Sequence, residues 1–540
     1  MPQQTVYINQ AIHKGWVDHE MQPSPLAPEN EWCRRVYLDI LGRIPTVREL
    51  DAYLSDKSAH RKRDLVDKLL SSTTVNPDNG GSYVQEYARN WTNIWMTILI
   101  GRPPAAKVNN DPTNREAMAQ YLRRSFQINK PYDQFVVELV TATGSNTPEE
   151  DSRGNKYNPA VNYLTGKMDD NGVQATAKTA QIFLGLQVQC TQCHNHPFND
   201  WKQNQFWELN AFFRQTKAKR NGTRKMVESF ELVDENYKGE SYKHGGGNMD
   251  QADLFYELRN GVLKVAYPVF VDGTEIDKSG DIHKINRRKQ LGDLIRNSDY
   301  MNKAIVNRMW GHFFGYGFTK PVDDLGPHNQ PTHPELLERL ANDFRDQSHD
   351  LKQLIRWIVL SDAYSLSAKF NNSNRMDDPT LGERPAFSHF YLRQMRSEEL
   401  YESLLAATEA DKTRGSEDDQ QKMRDDWLKQ FTIAFGTDEN DDVTTFNGTI
   451  PQALMMMNGD LIKKAISIEP GSFLHTVAAS SSAPADKINA IYMAALARRP
   501  NGNEISRANA ILMHKKGDVV GALQDVFWAV LNSNEFIIQH

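Results

Sequence analysis

Apolar residues recur every three or four positions over most of this chain, and that spacing commits it to packed helices. The stretch "SYVQEYARNWTNIWMTILI" (82–100) shows the pattern best, with Tyr83, Tyr87, Trp91 and Trp95 four apart. Such a ladder reads as the core face of a helix rather than a cofactor box. Upstream, "WCRRVYLDILGRIPTVRELDAYLSD" groups Val36, Leu38, Ile40 and Leu41, breaks at Gly42 and Pro45, and restarts at Thr46. Glu49, three residues on, completes a capping box. "NKPYDQFVVELVTATG" starts near Pro131 with Phe135, Leu139 and Val140 on one face. "VQATAKTAQIFLGLQVQC" places Ala177, Ala180, Leu184 and Val188 on one face and predicts a helix running from Val173 to the CxxCH stretch, as 173–194.

The period changes between 216 and 282. "RKMVESFELVDE" and "LKVAYPVFVDGTEI" alternate and are rich in β-branched and aromatic residues, and Asp272-Gly273 is a hairpin signal. The expected fold class is mainly α, with two helical parts and a small β-containing insert. The expected segments are 1–215 (helical, with CxxCH), 216–282 (β insert or linker) and 283–540 (a second helical part). No fixed-period repeat is evident.

Composition removes several function classes. A hydrophobic fraction of 39% over 540 residues supports large cores and argues against global disorder. A net charge of −6 with no basic tract argues against nucleic acid as a partner. No run approaches the roughly 18 apolar residues a membrane span needs. The opening "MPQQTVYINQAIHKGW" lacks the charged and apolar regions of an export signal. The chain is therefore either cytoplasmic or trimmed of its leader.

Three cysteines make no disulfide framework. Cys33 sits among helix-pattern apolar residues and reads as a buried structural thiol. Cys190 and Cys193 lie in "QCTQCHNHPFNDW" (189–201), followed by His194 and His196. CxxCH is the form of covalent haem c attachment. Each thiol adds to one porphyrin vinyl group, and the next imidazole meets the iron. A zinc site on Cys190, Cys193, His194 and a fourth ligand also uses C-x2-C spacing. A redox-active CxxC and a pair of structural cysteines are the remaining readings. His196 is too close to His194 to reach the opposite face of the same iron. A haem would need apolar neighbours such as Phe198, Trp201, Phe206 and Phe212.

"GLQVQCTQCHNHPFNDWKQNQFWELNAFF" resembles the signature of the planctomycete secreted cytochrome-like family of the second type, a domain of unknown function. "RRVYLDILGRIPTVRELDAYL" and "NKPYDQFVVELV" are similar to its earlier blocks. "VNRMWGHFFGYGFTKPVDDLGPHNQPTHPELLERLANDF" and "TIPQALMMMNGDLI" resemble the companion planctomycete secreted domain that follows it in the same polypeptide. The resemblance implies periplasmic or secreted localisation, one covalent haem c on Cys190, Cys193 and His194, and a redox or electron-transfer role. Relatives that carry carbohydrate-binding modules suggest a setting in polysaccharide degradation. The implied partners are a redox partner protein or a small-molecule or carbohydrate substrate; an oligomeric state is not implied. One block departs from the family pattern: an Arg-rich segment with a cysteine is replaced here by "GTDENDDVTTFNG". The competing class is a non-haem scaffold or hydrolase, with zinc or plain packing at the cysteines.

Other polar residues have local readings. Thr332 is the expected N-cap, with Pro334 and Glu335 in the first turn. Asp323, Asp324 and His328 fall in a loop. His312, His328 and His333 each read first as structural histidines, yet they are near enough in sequence to converge on CxxCH. His312 is the expected distal ligand from the second helical part, and His196 is a candidate for the fourth position of a zinc site. "DENDD" (438–442) lacks the spaced calcium-loop pattern and reads as a solvated acidic loop. HExxH, GxSxG, P-loop and dinucleotide motifs are absent.

Overall fold

The local signals recur in the three-dimensional structure. The Thr46 hydroxyl accepts the Glu49 N–H at 3.2 Å, and the Glu49 carboxylate accepts the Thr46 N–H at 2.9 Å, which closes the capping box that starts the helix Val47–Ser55. Tyr83, Tyr87, Trp91 and Trp95 are all 1% exposed or less along the helix Tyr83–Ile100, so the ladder is a core face. Cys33 is fully buried. The fold is mainly α, with only small two- and three-stranded sheets among the described residues. This computed structural model describes residues 1–76, 80–102, 111–148, 156–222, 227–413, 415–436 and 449–540. The acidic stretch 438–442 lies outside the described residues.

The chain forms two compact units. One comprises Met1–Asn93, Phe313–Gly315 and Arg356–His540; the other comprises Ile94–His312 and Tyr316–Ile355. This packing division crosses the sequence segments 1–215, 216–282 and 283–540.

In the first unit, Leu38 and Ile44 join a large apolar cluster built from the helices Ser397–Thr408, Pro484–Leu496 and Val519–Leu531. Two buried arginines of the helix Glu29–Leu41 bind distant backbone, Arg34 that of this cluster. Arg34 donates to the Ala495 carbonyl at 2.6 Å and to that of Phe536 at 3.0 Å. Arg35 donates to Leu366 O at 3.0 Å and lies 3.5 Å over the Phe390 ring. Burial pushes the Arg34 guanidinium down to about 10. Carbonyl acceptors and a ring face stand in for water around these cations, with Arg34 Nε left without a partner.

In the second unit, Trp95 packs edge-on to Phe135 at 5.3 Å, and Tyr132 lies 6.3 Å from Phe344 of the helix Pro334–Asp346. Arg288 joins three elements. It donates to the carbonyls of Val140 (3.2 Å) and Ala142 (2.6 Å) and pairs with Asp234 at 2.7 Å. The β insert is present. The strands Thr216–Gly222 and Val227–Asp234 pair antiparallel, and Gly144–Ser145 adds a third strand from outside the insert. The strands Leu254–Glu257 and Leu263–Ala266 form a separate antiparallel pair. Asp272 and Gly273 do make a turn, in which the Phe270 N–H reaches Thr274 O at 2.8 Å.

Two local expectations are corrected. The helix Asp169–Thr179 passes into a wider turn at Ala180–Leu184 and ends there, so it does not run on to CxxCH. Gly185 stops it with φ 64°, and a Cβ at Gly185 would stand 2.9 Å from Leu325 Cδ1. The helix Pro334–Asp346 is capped at His333 rather than Thr332, with no side-chain cap bond. Pro334 at the first helical position holds the preceding residue, His333, out of the helical region.

Candidate functional site

Beyond Gly185 the chain makes a short 3-10 turn, Gln189–Gln192, and this turn carries the first cysteine. Val188 and Thr191 face inward, at 3% and 0% exposure. The Thr191 hydroxyl closes onto Val188 O at 2.6 Å. With those two residues as anchors, Cys190 and Cys193 both stand exposed as free thiols. The turn is fastened from behind by the helix Gln203–Asn210. Trp207 Nε1 donates to Gln192 O at 3.1 Å, and Gln203 Nε2 reaches both Gln192 O (3.2 Å) and Glu257 O (2.9 Å).

His194 is partly exposed, and its Nδ1 lies 2.6 Å from the Asn195 carbonyl. A carbonyl only accepts, so Nδ1 carries the proton and the Nε2 lone pair is left for a ligand bond. His196 is in the opposite tautomer when neutral, because its Nδ1 accepts the Phe198 N–H at 3.2 Å. Partial burial lowers the His196 pKa, as do the neighbouring His328 and His194, against the pull of Asp324. The expected apolar neighbours divide. Phe206 and Phe212 are 1% and 0% exposed and belong to the core, so they do not line an open pocket. Phe198 is 79% exposed on the same loop as the cysteines.

A loop far along the chain meets this one. The His328 ring lies 5.5 Å from that of His196, and its Nδ1 is 3.3 Å from Asn199 Nδ2. Asp324 Oδ2 faces His328 Nε2 at 3.0 Å. Asp323 is 1% exposed and accepts from Gln181 (2.6 Å) and Gln187 (2.8 Å). His312, the expected distal ligand, occupies the last turn of the helix Asp299–Phe314 and is partly buried. His333 packs 6.1 Å from Phe318. Among the described residues, no group of three or more His, Cys, Asp or Glu is gathered as a metal ion would need. Asn199, Gln181 and Gln187 had no sequence signal, since an amide side chain belongs to no spaced motif.

Two family models match in tandem. PSCyt2, a protein of unknown function (DUF1549), covers residues 7–218, and PSD1, a protein of unknown function (DUF1553), covers residues 287–512. The chain belongs to the planctomycete PSCyt2–PSD1 family. No curated protein and no solved structure matches it. Cys190, Cys193, His194, His196 and Asn199 fall within PSCyt2, whereas Asp323, Asp324 and His328 fall within PSD1. The PSCyt2–PSD1 pair thus shares the second compact unit, which takes residues from both matches. No helix among the described residues is long and apolar enough to cross a membrane.

Proposed function

We propose that this protein is an exported c-type-cytochrome-like redox protein that carries one covalent haem on Cys190 and Cys193, with His194 as the iron ligand. The observation that carries the reading is a pair of exposed free thiols three residues apart, followed by a histidine whose Nδ1 is held by a carbonyl. The donor set fits the group. Two accessible sulfurs are what two thioether bonds need, and the Asn195 carbonyl leaves Nε2 of His194 free for iron. Of the apolar neighbours expected for a haem, Phe198 is exposed beside the cysteines, while Phe206 and Phe212 are buried in the core. When bound, the haem supplies one-electron chemistry at its iron. The protein's part is to hold it at the surface: Thr191 and Val188 root the turn, Gln203 and Trp207 fix its back, and the sulfurs stay outward. Surface placement suits electron exchange with a redox partner protein or with a small-molecule or carbohydrate substrate. Export follows from the chemistry, since haem c is attached outside the cytoplasm.

The test is expression in a host with haem-attachment machinery and an export signal. The expected product keeps its Soret band through denaturation and acid-acetone extraction, and Cys190→Ser with Cys193→Ser abolishes the band. A colourless protein from that host, or one with stoichiometric zinc, overturns the reading.

A further inference from the structure

The loop that carries Asp323, Asp324 and His328 is itself rigidly seated. Leu325 N–H donates to Gly185 O at 2.7 Å, beside the glycine that ends the preceding helix. Both oxygens of buried Asp323 are taken by Gln181 and Gln187, which flank that same glycine. Asp324 Oδ1 accepts the Gly326 N–H at 3.1 Å, and Oδ2 stands 3.0 Å from His328 Nε2. A Cβ on Gly326 would come within 2.7 Å of the His328 ring, so glycine here lets the ring lie against its carboxylate. With its proton on Nε2, His328 presents Nδ1 as an acceptor to Asn199 Nδ2 at 3.3 Å. Asn199 Oδ1 then accepts the Trp201 N–H at 2.9 Å, and Trp201 O accepts the His196 N–H at 2.8 Å. A series of contacts therefore runs from Asp324 through His328, Asn199 and Trp201 to the backbone two residues beyond His194.

We propose that the loop Asp323–His328 is a clamp that presents the CxxCH turn, with Asp324 and His328 as positioning residues that act through Asn199. The PSD1 segment is then a part of the CxxCH site, and the PSCyt2 motif is incomplete without it. The inference rests on the reading of this turn as the functional site, but the clamp itself needs no haem to be observed.

The experiment uses the full chain made without haem-attachment machinery and follows amide hydrogen exchange at His196 and Trp201. His328→Ala is expected to speed exchange at both amides by about tenfold, the effect of losing one net hydrogen bond, and to leave amides of the helix Pro334–Asp346 unchanged. Asn199→Asp, which keeps the oxygen that accepts the Trp201 N–H and loses the Nδ2 donor to His328, gives the same result if His328→Ala folds poorly. His328→Asn places an amide oxygen near the Nδ1 position and is expected to restore slow exchange. Unchanged exchange at both amides in His328→Ala, or in Asn199→Asp where His328→Ala does not fold, overturns the clamp, as does a His328→Asn variant as fast as His328→Ala. In the haem-loaded full chain, His328→Ala is expected to shift the midpoint potential relative to wild type, and His328→Asn to return it. A chain that never loads haem yet shows the exchange pattern keeps the clamp and removes the redox reading.

Discussion

Asp39 and Asp324 are both carboxylates that face a nitrogen, and their surroundings set them apart. Asp39 is fully buried in the first unit. It pairs with Arg393 and accepts from the Tyr364 hydroxyl at 2.5 Å and from Gln539 Nε2 at 2.9 Å. Burial raises its pKa, while Arg393 pulls the other way. Asp324 and His328 keep side-chain exposures of 11% and 25%. The first pair spans 354 positions within one unit. The second lies within five residues and reaches outward to a neighbouring loop. A charge pair sealed from water must be satisfied completely and serves the fold; at the second contact Asp324 is buried, but the His328 ring is partly open and keeps a nitrogen to reach a neighbouring loop.

The largest expected effect breaks the buried side of that contrast. Arg393→Ala leaves Asp39 and Glu399 buried without their shared cation, and denaturant titration should show a loss of about 3–5 kcal/mol. A smaller effect follows from His540 in the same unit, whose pKa is lowered to about 4 by burial and then by Arg34. The unfolded histidine, near 6.5, binds a proton that the folded one refuses. Stability therefore falls as pH drops from about 6.5 to about 4 and levels off below that. Wild type minus His540→Gln should reveal the difference across that window, at most about 3 kcal/mol. The smallest effect on stability is expected at the surface. Cys190→Ser and Cys193→Ser should each change stability by less than about 0.5 kcal/mol. In haem-free protein both thiols should label readily with a disulfide reagent, while Cys33 labels only on unfolding.

Much of this was legible in the sequence where the signal is local. The Thr46–Glu49 box, the Tyr83-to-Trp95 ladder and the alternation around Phe230 and Val265 each arise within a few residues. So does the juxtaposition of Cys190, Cys193 and His194. The helix expected to run into CxxCH ends instead at Gly185, which takes a left-handed conformation and has Leu325, 140 positions on, packed where a side chain would stand. Thr332 lost the cap to His333 through the restriction that Pro334 places on its predecessor.

By itself, then, the sequence determined the helical character of the chain, the place of its β insert, the buried state of Cys33 and the spacing of the CxxCH motif. Periodicity and backbone preference act over a turn or two and need no partner. Only the tertiary structure decided that Cys190 and Cys193 face outward, that Phe206 and Phe212 belong to the core, and that His328 meets Asn199 and His196. Those outcomes depend on which surfaces are covered once distant segments pack. A contact across 129 positions leaves no period in the residues between.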